Sequence, residues 1–435
     1  MPSPTPTAAT RPAAMDPVSF IAELDRLAAT ELWPEFDLRS VPVAVYDGSR
    51  TLLFRHPSPP EGFVPDPTVS GTWSFAGRHP AMTANNSVEL GGVMTAAALL
   101  SNPEISLREQ AAIVAHEAFH VYQGERHPRW VANEVELFAY PVDDASQLTL
   151  RRLETMALNR ALTSSVARES ACWTRTALAT RRERFAALPA GSAEYERKTE
   201  LKEGLARYVQ LRAGGAGSYP AEDRPPEAVR DRAYQSGAAL ALLLDRFQPS
   251  WKTTLAAADS IPLDVLLGDV PALSGDVSRC GFTPAERAQV TSAAAVDVEQ
   301  LRARRAERRH QLLSQAGWRV VIAAGGSPLF PQEFDPLNVH IVAPGEVLHS
   351  RYIRLGNGSG TIEVFGRSSL TEAAGAHPLF NGVRSLTVGG FAGEPVVAEN
   401  DSTVTIKADG LNAEFRGAAI QRDGETLTIR LAATR

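Results

Sequence analysis

Cysteine is almost missing: Cys172 and Cys280 are the only two in 435 residues. They form no CxxC and have no framework spacing, which excludes a disulfide-stapled scaffold and a cysteine-built metal site. Two free thiols and one disulfide stay equally open. No apolar run approaches the roughly 20 residues of a helical membrane span. Charge of one sign is not in excess either. Fifty acidic against 44 basic residues give −6, which offers no electrostatic case for a nucleic-acid partner. The one basic run, from Arg302 to His310, has Glu299 and Glu307 beside or within it and reads as a solvated helix face. Residues 1–15, rich in Pro, Thr and Ala, lack the basic start and apolar core of a signal peptide. They read as a disordered leader, and the chain as cytoplasmic. Internal repeats are also lacking.

What the chain does have is His116-Glu117-Ala118-Phe119-His120. Histidines at i and i+4 share one helix face, where two imidazoles can hold a Zn²⁺, and Glu117 lies beside them as a general base for a zinc-bound water. With 9 histidines in the chain, chance yields such a motif only about once per hundred sequences of this kind. The context is helical. Ser106-Leu107-Arg108-Glu109 forms a capping box, Ile113, Val114, Phe119, Val121 and Tyr122 supply apolar faces, and Gly124 with Pro128 signals the end. The pattern points to metal-assisted hydrolysis, most often of a peptide bond.

Along the chain, a helix over Phe20–Leu27 precedes strand-like runs at Val41–Tyr46, Thr51–Phe54, Gly71–Ala76 and Ser87–Met94. Helices are expected over Asp144–Leu162, Ser165–Leu188, Glu194–Ala213, Pro226–Phe247 and Thr283–Ala316. After Trp318 six β-like runs follow, at 319–323, 338–342, 361–365, 385–388, 403–408 and 426–431, divided by Gly, Asn and Asp turns. The reading is α+β: a leader over 1–15, a mainly helical catalytic region with a small sheet over 16–317, and an antiparallel sandwich or barrel over 318–435. His340, His349 and His377 are scattered through the last region and read as structural.

A catalytic zinc site needs a third protein ligand. The spacing HExxHxxGxxH is absent, since Gln123 and Arg126 occupy the key positions. Glu134, Glu136, Glu154 and Glu203 are the candidates, and Asp143 or Asp144 could orient a ligating histidine from behind. Two later segments are informative. Glu203-Gly204-Leu205-Ala206-Arg207-Tyr208 resembles the EG(F/L)AxY segment of gluzincin metallopeptidases, the superfamily of aminopeptidase N and the glycyl aminopeptidases. Tyr234-Gln235-Ser236-Gly237-Ala238-Ala239-Leu240 is similar to the family's YxxGAxxL stretch. The resemblance covers roughly residues 71–250. It implies Glu203 as third zinc ligand, Glu117 as base and Tyr234 as oxyanion donor. Leu153-Glu154-Thr155-Met156-Ala157 is similar to the ExxA ligand helices of other gluzincins, which keeps Glu154 as the rival ligand. Lys202 stands where the family commonly has Asn, the insert after His120 is long, and the amine-gripping GxMEN segment is missing, with Glu89 its one substitute nearby.

The expectation is a zinc-dependent peptidase acting on peptides or proteins. Two rivals stand beside it: a non-catalytic binding protein on a peptidase scaffold, and a zinc hydrolase of non-peptide amides or esters.

Overall fold

The computed structural model describes residues 15–432, apart from 103, 215–220, 222, 259, 274–279, 336–337 and 401. The expected leader therefore lies, but for Met15, outside the described residues. The protein is α+β and divides into two compact units. The first runs to Ala132 and resumes over Leu150–Arg287; the second joins Asn133–Thr149 to Ala288–Arg435. The β-like runs after Trp318 suggested a division at 317/318. Compactness instead groups the helix before it, and a segment ahead of residue 150, with the β-rich region.

In the first unit α1 (Pro17–Ala28) is capped by the Asp16 carboxylate. Six strands follow: β1 (Val43–Tyr46), β2 (Arg50–Phe54), β3 (Val64–Pro65), β4 (Thr72–Ala76), β5 (Asn86–Leu90) and β6 (Val93–Leu99). They form one sheet in the order β3-β4-β2-β1-β6-β5, with only the β1–β6 pair parallel. The single strand expected over Ser87–Met94 is in fact a hairpin. Gly91 and Gly92 both take positive φ, 54° and 79°, the backbone a tight two-residue turn demands. This leaves β5 on the sheet edge.

Helix α2 (Leu107–Arg126) packs against β6 and carries the HExxH motif. Its capping box forms as expected: the Glu109 N–H donates to Ser106 Oγ at 3.3 Å, and the Ser106 N–H to Glu109 Oε2 at 3.0 Å. The helix does not stop at Gly124, which stays helical, but runs one half-turn on to Arg126. Phe119 anchors its buried face, edge-on to Trp33 at 5.3 Å and to Phe36 at 5.4 Å, in a cluster where Trp33 also meets Trp130, Tyr208 and Trp251. That cluster fixes the helix roll, and with it the direction of His116 and His120, which lie beside Phe119 around the helix.

The remaining helices are α3 (Ala145–Thr163), α4 (Ala167–Ala186), α5 (Ala190–Thr199), α6 (Leu205–Gly214), α7 (Val229–Phe247), α8 (Trp251–Ala258), α9 (Leu263–Gly268) and α10 (Pro284–Leu313). Between α5 and α6 the backbone widens into a π-turn, Glu200–Gly204. Cys172 and Cys280 are joined in a disulfide across 108 residues of sequence.

The second unit contains a β-sandwich. One sheet has the order Ala419–Asp423, Thr426–Arg430, Trp318–Ala323, Val383–Phe391, Ser369–Ala373, Glu346–His349, Val339–Ala343; the other Val396–Asn400, Thr403–Ala408, Leu411–Arg416, Gly360–Phe365, Tyr352–Asn357, Phe330–Phe334. Both contribute to one core, with Ile322, Leu386 and Ile429 from the first and Ile362, Ile406 and Phe415 from the second. All pairs are antiparallel except Trp318–Ala323 with Thr426–Arg430, which is parallel. The three C-terminal histidines have ordinary structural partners or surroundings. His349 is fully buried with Nε2 at 3.2 Å from Thr371 Oγ1, His377 accepts backbone N–H groups of Leu379 and Phe380, and His340 is half-buried.

Candidate metal centre

Three side chains converge in the first unit. His116 Nε2 and His120 Nε2 are 3.1 Å apart; Glu203 Oε2 lies 3.1 Å from His120 Nε2 and 3.8 Å from His116 Nε2. Four ligands held tetrahedrally at zinc–nitrogen and zinc–oxygen lengths of about 2.0–2.1 Å have ligand atoms about 3.3–3.4 Å apart. The observed spacings bracket that value, so the three atoms describe one face of a tetrahedron. No other group of three His, Cys, Asp or Glu among the described residues has this spacing.

Glycine explains how the later segments reach α2. A Cβ on Gly204 would lie 2.6 Å from the Gly237 Cα, and one on Gly237 would lie 2.8 Å from the Glu200 carbonyl oxygen. Backbone meets backbone where α7 crosses the π-turn, a contact only paired glycines permit. The crossing sets Arg230 and Tyr234 of α7 beside Glu203. Arg230 donates to Glu203 Oε1 at 2.8 Å, leaving Oε2 toward the histidines. Tyr234 stacks on His116 at 6.1 Å and 14° and hydrogen-bonds Glu203.

Burial sets the electrostatics. It brings His116 down to about 4, against the pull of Glu203, so that ring is neutral at pH 7 with a lone pair to offer. It pushes Glu117 up to about 7, with His120 opposing and Glu203 adding to the rise. Burial would raise Glu203 too, but contacts with His116, His120 and Tyr234 hold it well below the usual carboxylate range. The Tyr234 phenol is raised by burial and by the Glu203 charge. A cavity of about 280 Å³ opens onto these groups, lined also by Asn86 and Ser87 of β5, Lys202 and Trp130.

The geometry separates the four candidate glutamates. Glu203 is with the histidines. Glu154 is buried elsewhere, accepting from Arg181 at 2.6 Å, Arg184 at 2.9 Å and Arg151 at 3.2 Å. It belongs to an ion network of four carboxylates, Glu154, Glu196, Glu200 and Asp264, and four guanidiniums, Arg151, Arg181, Arg184 and Arg197. Ser236 of α7 joins it by donating to Glu200 on the π-turn. Glu134 and Glu136 fall in the second unit, on a short 3₁₀ helix. Asp144 caps α3 and Asp143 pairs with Arg305, so neither is spent on a histidine. Glu89 is exposed and outside the cavity lining. The residue behind His120 is Gln123, 2.7 Å from its Nδ1; the sequence marked that position only as a departure from a longer zinc motif.

No family model, curated protein or solved structure matches the chain.

Proposed function

We propose that the protein is a zinc-dependent hydrolase, a metallopeptidase of gluzincin-like fold, with His116, His120 and Glu203 as ligands. The observation that carries the proposal is the tetrahedral spacing of three lone-pair atoms, with Glu117 in the same cavity. Bound zinc supplies Lewis acidity and makes water acidic enough to deprotonate near pH 7. The rest falls to the chain. Glu117, poised near 7 by burial, takes a proton from the attacking water and returns it to the leaving amine, where a base matched to working pH is most efficient. Tyr234 donates a hydrogen bond to the charge growing on the carbonyl oxygen, and its raised pKa keeps the phenol protonated. An extended peptide can add along the free edge of β5, whose Asn86 and Ser87 line the cavity.

A non-catalytic scaffold has less to recommend it, because Glu203 and Tyr234 both reach His116. Hydrolysis of other amides or esters shares every one of these groups and is the second reading. The −6 charge favours no nucleic-acid partner, and no described helix is long and apolar enough to cross a membrane. The Cys172–Cys280 disulfide favours an oxidising compartment over the cytoplasm expected from the leader. Glu117→Gln tests the proposal. With zinc retained, cleavage of a mixture of unfolded polypeptides should fall by about 10²–10⁴; undiminished cleavage would remove Glu117 as the base.

A further inference from the structure

We infer that Gln123 is a positioning residue that sets the tautomer of His120 and, through the same amide, holds the π-turn bearing Glu203. The inference rests on the metal reading of the site. Gln123 lies one turn beyond His120 on α2 and is 3% exposed. Its Nε2 is 3.1 Å from the Leu201 carbonyl oxygen and 2.9 Å from that of Lys202. Carbonyl oxygens only accept, so the amide must turn its NH₂ to them. That leaves Oε1 facing His120 Nδ1 at 2.7 Å. An amide oxygen only accepts as well, so Nδ1 must carry the ring's proton.

Two consequences follow from that one orientation. A neutral His120 presents a bare Nε2 lone pair at 3.1 Å from Glu203 Oε2. Two acceptors at that distance repel unless a metal cation or a second ring proton stands between them, and either one leaves the Nδ1 proton on Gln123. The two carbonyls gripped by the amide belong to the residues just before Glu203, so the ring and the carboxylate are registered by a single side chain. His116 has no equivalent, since its Nδ1 is buried without a hydrogen-bond partner among the described residues. Of the two histidines, only His120 is therefore oriented from behind by a side chain among the described residues, and that side chain is Gln123. Gln123 takes no part in proton transfer.

Gln123→Met keeps length and bulk while deleting both kinds of hydrogen bond. Gln123→Glu keeps an acceptor for Nδ1–H but sets a carboxylate against two carbonyls. Zinc affinity is read by competition with a chelator, and the His120 tautomer from imidazole ¹⁵N shifts in zinc-free protein at pH 8. Wild type should show the Nδ1–H form. Gln123→Met should lose that preference and bind zinc about 10–100-fold more weakly. Gln123→Glu should keep the Nδ1–H form yet still bind more weakly, because the π-turn is released. A wild-type His120 whose ring proton is on Nε2 alone overturns the inference, as does zinc binding by Gln123→Met within threefold of wild type. A wild type that binds no zinc fails the metal reading instead, and the tautomer comparison then decides the role of Gln123 alone. Should Gln123→Met not fold, the wild-type tautomer and the Gln123→Glu affinity carry the same decision.

Discussion

The crossing of Gly204 and Gly237 predicts an unusual sign for a glycine-to-alanine change in a helix. In a helix interior Gly→Ala ordinarily stabilises by about 0.5–1 kcal/mol, because alanine has less backbone freedom to lose. At Gly237 the added methyl would stand 2.8 Å from the Glu200 carbonyl oxygen and the Gly204 Cα, and 2.9 Å from the Glu200 Cα. Those atoms are backbone, so no rotamer change relieves the overlap. The two segments must part by about half an ångström to restore ordinary contact near 3.4 Å. Overpacking of this kind costs about 1–3 kcal/mol. Set against the propensity gain, the net is about 0–2.5 kcal/mol lost, or a Tm lower by up to about 8 °C, where an unobstructed site would gain stability. Because the displaced turn carries Glu203, zinc affinity should weaken as well. The control is Gly124→Ala on α2, where an added Cβ meets nothing within 4 Å, and there stability should rise by about 0.5–1 kcal/mol. Calorimetry of both variants reads the signs directly. A Gly237→Ala protein as stable as Gly124→Ala would refute the backbone crossing.

Other perturbations separate the site from its supports. Glu154→Gln leaves Arg181 and Arg184 short of a buried counter-charge and should cost about 3–5 kcal/mol, while the folded fraction keeps its zinc; loss of zinc without loss of stability would restore Glu154 as a ligand. In the second unit, burial and then the nearby His340 hold His349 down to about 3, so the unfolded chain binds its proton first as pH falls. Its stabilising contribution is complete above the unfolded value of about 6.5 and is lost below it, amounting to about 2 kcal/mol by pH 5. The stability difference between wild type and His349→Leu should shrink by that amount between pH 7 and pH 5, and a flat difference would contradict the burial. Replacing Cys172 and Cys280 together by serine opens a 108-residue loop and should lower stability by about 4–5 kcal/mol on chain-entropy grounds; an unchanged denaturation midpoint would mean the pair is not bonded in solution.

Much of the site was legible because its signals are local. The capping box and HExxH lie within one helix, Gly204 adjoins Glu203, and Gly237 lies about one turn beyond Tyr234. Choosing Glu203 over Glu154 was not local. Both are helical glutamates, and what excludes Glu154 is three arginines, two of them 27 and 30 residues away on α4. Gln123 was invisible as a positioning residue for the same reason, since its carbonyl partners lie 78 and 79 residues on. In the fold, the alanine-rich end of β6 hid a strand. Ala96, Ala97 and Ala98 are fully buried between β1 and β5, so they show no alternation and their composition suits a helix. Three of the sandwich strands that escaped notice, Phe330–Phe334, Val396–Asn400 and Ala419–Asp423, are sheet edges. Exposure there removes the apolar period that marked the inner strands.

The most direct test of the central claim is zinc content per chain, measured on purified protein after zinc supplementation and removal of excess, for wild type, His120→Ala, Glu203→Gln and Glu154→Gln. One zinc in wild type and in Glu154→Gln, with none in His120→Ala or Glu203→Gln, is the predicted result. A wild type without zinc, or a Glu203→Gln variant that retains it fully, would contradict the assignment of the site.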